Sequence, residues 1–349
     1  MLYTNQSIRV KWGSYISILC AVSNGVKQGG VMSPILFTIY IDELLNRLRV
    51  EKLGCHIGHI FSGALGYADD VILLAPTLFS VRKMLDVCKQ FADEYDVLFN
   101  SSKSKLMFFG NSNDRPEISP ILFMDNVIEL VSHEKHLGNV IGQNCTKIQI
   151  DGSINEFNGK TNMINAHFHH IPFDSLYQLF KTYCMPLYGS QLWDHGKREI
   201  NKFYVSWRKS IRKLFDLPYR THCDLLPYIC DDYSPNIQLY FRIISLCKSL
   251  VNSSNTISRL CYAQAVSGSG SSVSNSMSVI SSFWAVPREY IFKIDRNSKA
   301  ICSYNEDLII RASVIRDLLH MRNINKYNVN IAPLDSDEIN YMLMILCTD

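Results

Sequence analysis

The sequence has no long apolar run and no paired cysteine motif. No apolar stretch reaches the roughly 18 to 20 residues that a membrane-spanning helix needs, which argues against an integral membrane protein. The 11 cysteines are scattered without C-x-x-C pairs, and no secretory signal follows Met1. We therefore expect a reduced, intracellular protein of the nucleus or cytoplasm that makes no membrane contact.

Acidic residues are also absent from a long opening segment, since the first of them is Asp42. The segment alternates in the manner of β-strands at Ile8, Val10 and Trp12. No carboxylate ligand can come from these opening strands. The formal net charge is only +3, so no strong overall basic field indicates a nucleic-acid partner either.

What the sequence does have is length, since 349 residues are enough for two domains and a sizeable core, and an apolar fraction of 47%, which is typical of a globular protein. Over residues 1–142 the patterns run helix, strand–turn–strand, helix, strand and hairpin. This order predicts an α+β domain, an antiparallel sheet with helices on one face. Residues 143–265 have helical periodicity, residues 266–282 are rich in Ser and Gly and predict a flexible linker, and residues 283–349 predict a helical extension.

Two adjacent acids, Asp69 and Asp70, stand between the apolar runs of residues 64–68 and 71–75. Each run predicts a buried strand, with Asp-Asp as the two-residue loop of a hairpin. Two neighbouring charges at a buried turn repel each other and lose solvation, so a hard divalent cation such as Mg²⁺ is the simplest agent that stabilises them. An accidental acidic turn is the alternative.

A glycine-rich loop, residues 24–34, precedes a predicted helix over residues 35–50. Ser33 is a candidate N-cap and Pro34 a candidate first helical residue. Glycines in such a place let backbone N–H groups approach a phosphate. The loop is neither a Walker A motif nor GxGxxG, so a plain flexible loop stays open.

A basic helix is predicted over residues 193–217, with Phe203, Trp207, Ile211 and Leu214 as its apolar stripe. A basic helix with aromatic residues suits a phosphate backbone, although a solvated face is the alternative. The stripe is expected to be core rather than a stacking platform for bases. The basic residues proposed to contact a nucleic-acid backbone are Lys202, Arg208, Lys209, Arg212 and Lys213.

Three motifs occur in one order: Asn-Gly-Val-Lys-Gln-Gly-Gly-Val-Met-Ser-Pro, Tyr-Ala-Asp-Asp and Asn-Ser-Ser-Lys-Ser. This ordered set resembles reverse transcriptases of LINE-type (non-LTR) retrotransposons. Leu137-Gly138, the stretch from Pro186 to Trp193, Trp207-Arg208-Lys209 and Leu217-Pro218 resemble later parts of the same proteins. The resemblance implies a polymerase palm followed by a helical thumb.

The resemblance also implies site residues and partners. Asp69 and Asp70 would be Mg²⁺ ligands, and Lys103 would lie near the nucleotide phosphates. Residues that would line the nucleotide and template site are Gln28, Gly29, Gly30 and Tyr67. Leu137 and Gly138 would contact the primer. The implied partners are an RNA template, a DNA primer, dNTPs and another retroelement-encoded protein.

One feature departs from the family pattern. Two-metal nucleotidyl transfer needs a third carboxylate, which the family supplies from a strand upstream of the glycine-rich loop. No acid precedes Asp42, which lies in the predicted helix after the loop. We therefore expect an N-terminally truncated chain, from a shortened element copy or a partial gene model, that lacks the fingers and does not synthesise DNA alone. A non-catalytic nucleic-acid-binding remnant and a product without a role are the alternatives.

Three further groups carry metal-binding side chains. Cys55, His56 and His59 form one, and His222, Cys223 and Cys230 form another. Neither has the paired spacing of a structural zinc site, so ordinary surface or hydrogen-bonded residues are expected. The same expectation holds for His167, His169 and His170.

Overall fold

The computed structural model describes residues 6–22, 25–110, 119–143, 145–295, 305–327 and 336–348. The chain divides into two compact units. The first unit comprises Met1–Leu106 and Gly110–Leu130, and the second comprises Met107–Phe109 and Val131–Asp349. The mixture of helices and short strands confirms the predicted α+β class.

The first unit contains two long helices among short strands. The elements up to the unit boundary are β1 Gln6–Ile8, β2 Lys11–Trp12, β3 Tyr15–Ile16, β4 Cys20–Val22, α1 Ser33–Glu51, β5 His56–Ile57, β6 Ile60–Phe61, β7 Ala64–Tyr67, β8 Asp70–Leu73, α2 Leu78–Tyr95, β9 Lys105–Met107, β10 Leu122–Phe123, β11 Asn126–Val127 and β12 Glu129–Val131. The antiparallel partners are β1 with β4, β2 with β3, β5 with β6, β7 with β8, and β10 with β11. In the described residues the strands thus form two-stranded pairs rather than one continuous sheet.

The core of the first unit lies between α1 and α2. Leu44 and Leu48 from α1 pack with Met84 and Phe91 from α2, and all four are fully buried. These residues recur every three or four positions, which places them on one helix face. The core fixes the two helices that flank the β7–β8 hairpin in sequence.

The two helix starts differ in how they are capped. Thr77 caps α2, since its Oγ1 accepts the Ser80 N–H at 3.1 Å. The predicted N-cap of α1, Ser33, is wrong. Met32 occupies that position, because the Ser33 hydroxyl instead donates to the Lys27 carbonyl at 2.5 Å and closes the preceding loop.

The second unit is mainly helical. Its elements are β13 His133–His136, β14 Asn139–Gly142, α3 Cys145–Phe168, α4 Phe173–Tyr183, α5 Ile200–Leu214, α6 Leu225–Ile229, α7 Pro235–Val251, α8 Thr256–Val266, α9 Ser272–Trp284, α10 Glu306–Tyr327 and α11 Ser336–Thr348, with 3-10 turns at Ser190–Leu192 and Arg288–Lys293. One core centres on Phe157, Phe180, Phe203 and Trp207. None of the described helices is long and apolar enough to cross a membrane.

The prediction of a flexible linker over residues 266–282 is wrong. Most of it is α9, whose Met277 and Ile280 are fully buried in a second core with residues of α7. Serine does not prevent this helix, because Ser271 caps it by accepting the Ser274 N–H and Ser278 donates to the Ser274 carbonyl at 3.0 Å. The apolar spacing, rather than the composition, determined the outcome.

The helix predicted over residues 193–217 is shorter than expected. α5 begins at Ile200, and Trp193, Asp194 and His195 form a buried turn before it. The preceding α4 ends at Tyr183, three residues before Pro186, as a proline at that place requires.

Candidate active site

The Asp69–Asp70 pair lies at the end of the β7–β8 hairpin, but in a different register from the predicted one. Tyr67 pairs with Asp70, so the two loop residues are Ala68 and Asp69, and Asp70 begins β8. Ala68 takes up a left-handed conformation with φ 51°. The prediction that Asp-Asp forms the loop is therefore wrong, since strand pairing continues through the second acid.

This hairpin end is exposed. Asp69 and Asp70 are both exposed, and so are Leu65 at 40% and Tyr67 at 65%. β7 is thus not the buried strand that its apolar sequence predicts. Because water reaches both carboxylates, loss of solvation does not force a cation onto them. Their proposed role as metal ligands depends on the family resemblance and on their accessibility.

The glycine-rich loop before α1 contains a closed turn. The Gly30 N–H donates to the Lys27 carbonyl at 3.0 Å, and Gly29 between them has φ +76°. A positive φ at this third position is typical of a type II turn and explains why glycine stands there. A side chain at Gly29 would meet nothing within 4 Å, so the turn faces open space. Gln28 is exposed at its corner.

The turn that carries Lys103 is built by Asn100. The Asn100 side-chain oxygen accepts the Lys103 N–H at 3.1 Å and the Ser102 hydroxyl at 2.8 Å. The Ser104 N–H bonds to the Asn100 carbonyl at 3.1 Å. Asn100 thereby fixes the backbone while the Lys103 side chain extends into solvent, where it can contact an anionic ligand.

Within the described residues, no group of three or more His, Cys, Asp or Glu side chains is placed to hold a metal ion. The two cysteine–histidine sets considered for zinc are included in this result. Mg²⁺ differs from zinc because it keeps several waters and is often held by one or two carboxylates together with substrate phosphates. The two adjacent carboxylates at Asp69 and Asp70 fit that more limited requirement.

The second unit contains the predicted primer-contacting hairpin, β13–β14. His136 pairs with Asn139, and the loop residues Leu137 and Gly138 have φ values of 47° and 78°. Two consecutive positive φ values define a type I′ turn, for which glycine is favoured at the second position. The Tyr188 hydroxyl donates to the Leu137 carbonyl at 2.9 Å and holds the turn.

The basic residues of α5 are divided between internal contacts and the surface. Lys202 pairs with Asp151 at 2.9 Å, Lys213 bonds to Asn162 at 2.9 Å, and Arg212 donates to the Thr221 carbonyl at 2.6 Å. Lys209 is exposed and Arg208 is half-buried. Three of the five predicted backbone-contacting residues thus have a partner in a neighbouring segment, although Lys202 and Lys213 remain exposed. The apolar stripe is core, as expected, with Trp207 1% exposed.

Two features went unnoticed in the sequence. Arg242 in α7 donates to the Met185 carbonyl at 2.5 Å and to the Leu187 carbonyl at 3.0 Å, and so supports the segment that carries Tyr188. His195 is 6% exposed, and burial lowers its pKa to about 4. The segment that Arg242 supports carries a local signal, because the Pro-x-x-Gly spacing at residues 186–189 indicates a turn. No local pattern signals the second.

Comparison with known proteins identifies a reverse transcriptase domain. Residues 5–147 match the model described as reverse transcriptase (RNA-dependent DNA polymerase). A Pol polyprotein of the type-2 retrotransposable element R2DM of Drosophila melanogaster is 36% identical over 81 residues, 23% of this chain and 8% of that protein. A Pol polyprotein of the type-1 retrotransposable element R2 of Popillia japonica is 32% identical over 143 residues, 39% of this chain and 20% of that protein.

A third relative is the RNA-directed DNA polymerase from mobile element jockey of Drosophila funebris. It is 26% identical over 231 residues, which is 60% of this chain and 24% of that protein. The chain thus contains a reverse transcriptase domain and is similar to the polymerases of LINE-type retrotransposons. It spans about a quarter or less of these three relatives. The matched reverse transcriptase domain includes both acids, the glycine-rich turn, Lys103 and the β13–β14 hairpin.

Proposed function

We propose that this reverse transcriptase domain serves RNA-templated DNA synthesis by nucleotidyl transfer. The observation that carries the proposal is the ordered set of three motifs within the matched domain. The Gly29 turn, the Asp69–Asp70 hairpin end and the Lys103 turn all belong to the first unit and are all exposed to a ligand. The family uses divalent metal ions, and Mg²⁺ is our specific proposal.

In the first unit, which we propose as part of a palm, Asp69 and Asp70 would hold Mg²⁺. Bound there, the ion would favour deprotonation of the primer 3′-hydroxyl and neutralise charge on the dNTP phosphates. Lys103 would add a positive charge near those phosphates. Residues that would line the nucleotide and template site are Gln28, Gly29, Gly30 and Tyr67. The absence of a side chain at Gly29 leaves its backbone accessible to the ligand.

In the second unit, which we propose as thumb and extension, Leu137 and Gly138 would contact the DNA primer. The residues proposed to contact the nucleic-acid backbone are Lys202, Arg208, Lys209, Arg212 and Lys213. Lys209 should contribute most, because it is exposed and no ion pair of its side chain is seen in the described part of the chain. The other partners would be an RNA template, dNTPs and another retroelement-encoded protein.

We further propose that the 349-residue chain does not synthesise DNA unaided. Its first 41 residues contain no carboxylate, and two-metal transfer needs more ligands than one adjacent pair. A primer-extension assay tests both proposals, with purified chain, an annealed RNA template and DNA primer, dNTPs and Mg²⁺. Synthesis that Asp69→Asn abolishes and the surface control Asp93→Asn leaves intact would overturn the proposed inactivity and support the site.

The non-catalytic alternative is favoured by the exposed cationic side of α5. Fluorescence anisotropy with the same template–primer duplex, measured across a salt series, separates it from a chain without a role. We expect binding that weakens as salt rises, with a slope that Lys209→Ala reduces by about one. Absence of binding at low salt would contradict nucleic-acid recognition of either kind.

A further inference from the structure

The side chain of Tyr188 is both exposed and fixed in orientation. It is 67% exposed, yet its hydroxyl donates to the Leu137 carbonyl at 2.9 Å. Its ring also contacts the hairpin backbone, since a Cβ added at Gly138 would lie 2.8 Å from Tyr188 Cε1. An exposed aromatic ring without a binding role needs no such fixation.

The segment behind Tyr188 is held from two further sides. Arg242 bonds to the carbonyls of Met185 and Leu187 and lies 3.3 Å from the Ser190 hydroxyl. Gly189 has φ +75°, and a side chain there would overlap the amide of Asn139, which accepts the Gln149 amide at 2.7 Å. These contacts leave the Tyr188 backbone little freedom.

The chemistry around the exposed ring suits a nucleic acid. Leu137, 39% exposed, extends the apolar surface at the hairpin end, and Lys135 on the same hairpin is an exposed cation. An aromatic face stacks on any nucleobase, and a nearby lysine attracts the phosphate backbone. A ring that is fixed before binding loses little side-chain entropy when it stacks.

We propose that Tyr188 is a base-stacking residue for the DNA primer strand and forms one binding surface with Leu137 and Gly138. This inference depends on the proposed primer contact of the hairpin. Arg242 acts as a positioning residue for the same surface, because it holds the carbonyls on either side of Pro186 through which the chain reaches Tyr188.

Photo-crosslinking of the unchanged full-length chain tests the contact directly. The probe is the template–primer duplex with 5-iododeoxyuridine at the last primer positions, and the crosslinked peptide is identified by mass spectrometry. We expect the crosslink on Tyr188. A chain that binds this duplex but crosslinks at other residues would overturn the inference and leave the proposed function standing. A crosslink obtained only from iodouridine in the template strand would overturn the assignment to the primer.

Substitutions at Tyr188 distinguish base stacking by the ring from a purely structural role of the hydroxyl hydrogen bond. We expect Tyr188→Ala to weaken duplex binding by about tenfold, whereas Tyr188→Trp and Tyr188→Phe stay within about threefold of the unchanged chain. The matched control is Tyr341→Ala, because Tyr341 is 62% exposed in the same unit. Equal losses for Tyr188→Phe and Tyr188→Ala would show that the hydroxyl tie, not the ring face, matters and would overturn stacking.

Arg242→Lys and Arg242→Ala test the positioning role. We expect Arg242→Ala to weaken binding and to reduce the Tyr188 crosslink yield severalfold, with partial rescue by lysine. An unchanged crosslink in a folded Arg242→Ala chain would contradict this role. If the unchanged chain binds no duplex at low salt, both the inference and the proposed nucleic-acid function fail, a pattern distinct from every result above.

Discussion

The β7–β8 and β13–β14 hairpins are built alike but differ in their surroundings. Each has four paired residues per strand, a two-residue loop and a first loop residue with φ near 50°. The loop of Ala68 and Asp69 is exposed, whereas the loop of Leu137 and Gly138 is bonded to Tyr188. The comparison teaches that the first hairpin presents charges, while the second is fixed by packing from another segment.

Four predictions test this contrast, in order of decreasing expected effect. The largest effect is expected at His195, which lies in the same unit as the β13–β14 hairpin. Both of its ring nitrogens are buried and have no hydrogen-bond partner among the described residues. Its side chain faces Asp194 and the Tyr240 ring. Burial lowers the pKa to about 4 in the folded chain, so the unfolded state takes up the proton first as the pH falls. The folded chain therefore keeps its full stability at this site above about pH 6.5, where His195 is neutral in both states. As the pH falls toward 4, the unfolded state is favoured by about 3 kcal/mol.

The measurement is the free energy of unfolding against pH, by urea titration of the unchanged chain and of His195→Phe. We expect the variant to lose this part of the acid sensitivity, because phenylalanine fills the site without a titrating group. His222→Gln, at an exposed histidine, is the control and should keep the full dependence. Hydrogen exchange should place the acid-induced loosening near α9, because the Ser276 hydroxyl of that helix accepts the backbone N–H of His195 at 3.0 Å. Identical pH profiles for the chain and His195→Phe would contradict the prediction.

The second prediction breaks the support of the packed hairpin. Gly189→Ala should lower the free energy of unfolding by about 2 kcal/mol, from backbone strain and displacement of the Asn139 amide. Gly270→Ala is the matched control, because Gly270 has φ +72° in the same unit but nothing within 4 Å of an added Cβ. It should cost only about 1 kcal/mol. Equal losses in urea titrations would mean that the Gly189 contacts contribute nothing.

The third prediction acts on the packed hairpin itself. Gly138→Ala should destabilise by about 1.5 kcal/mol, since it adds strain at φ +78° and an atom against the Tyr188 ring. In Tyr188→Ala the added methyl group meets no ring, so the double mutant should be more stable than the sum of the single losses. Thermal or urea unfolding of the four chains measures this coupling, and strict additivity would refute the contact.

The smallest effect is expected at the exposed hairpin. Asp69→Asn and Asp70→Asn should each change the free energy of unfolding by less than about 0.5 kcal/mol, because both side chains are exposed. Their effect should instead be on Mg²⁺ binding, measured by isothermal titration with the duplex and a dNTP present. A loss of several kcal/mol in stability would show that the acids serve the fold, and the contrast between the hairpins would disappear.

Sequence patterns predicted the elements that depend on local chemistry. The core stripe of α5 follows from its helical spacing. The Thr77 cap, the Asn100 turn and the end of α4 before Pro186 have equally local causes, which are a capping hydroxyl, an asparagine side chain and a proline. The register of β7–β8 was missed by one residue, because the pairing of Tyr67 with Asp70 is decided between strands. The helix α9 was missed because serine and glycine content concealed its apolar spacing.

By itself, the sequence determined the resemblance to LINE-type reverse transcriptases, the order of the motifs and the absence of an acidic residue before Asp42, since these depend on residue identity alone. Only the tertiary structure decided that the two acids are exposed, that three basic residues of α5 are engaged within the unit, and that Tyr188 is fixed against Gly138. Those facts come from contacts between residues up to about fifty positions apart, such as Leu137 with Tyr188 and Asp151 with Lys202. Solvent access and side-chain partners are set by packing, which no local pattern specifies.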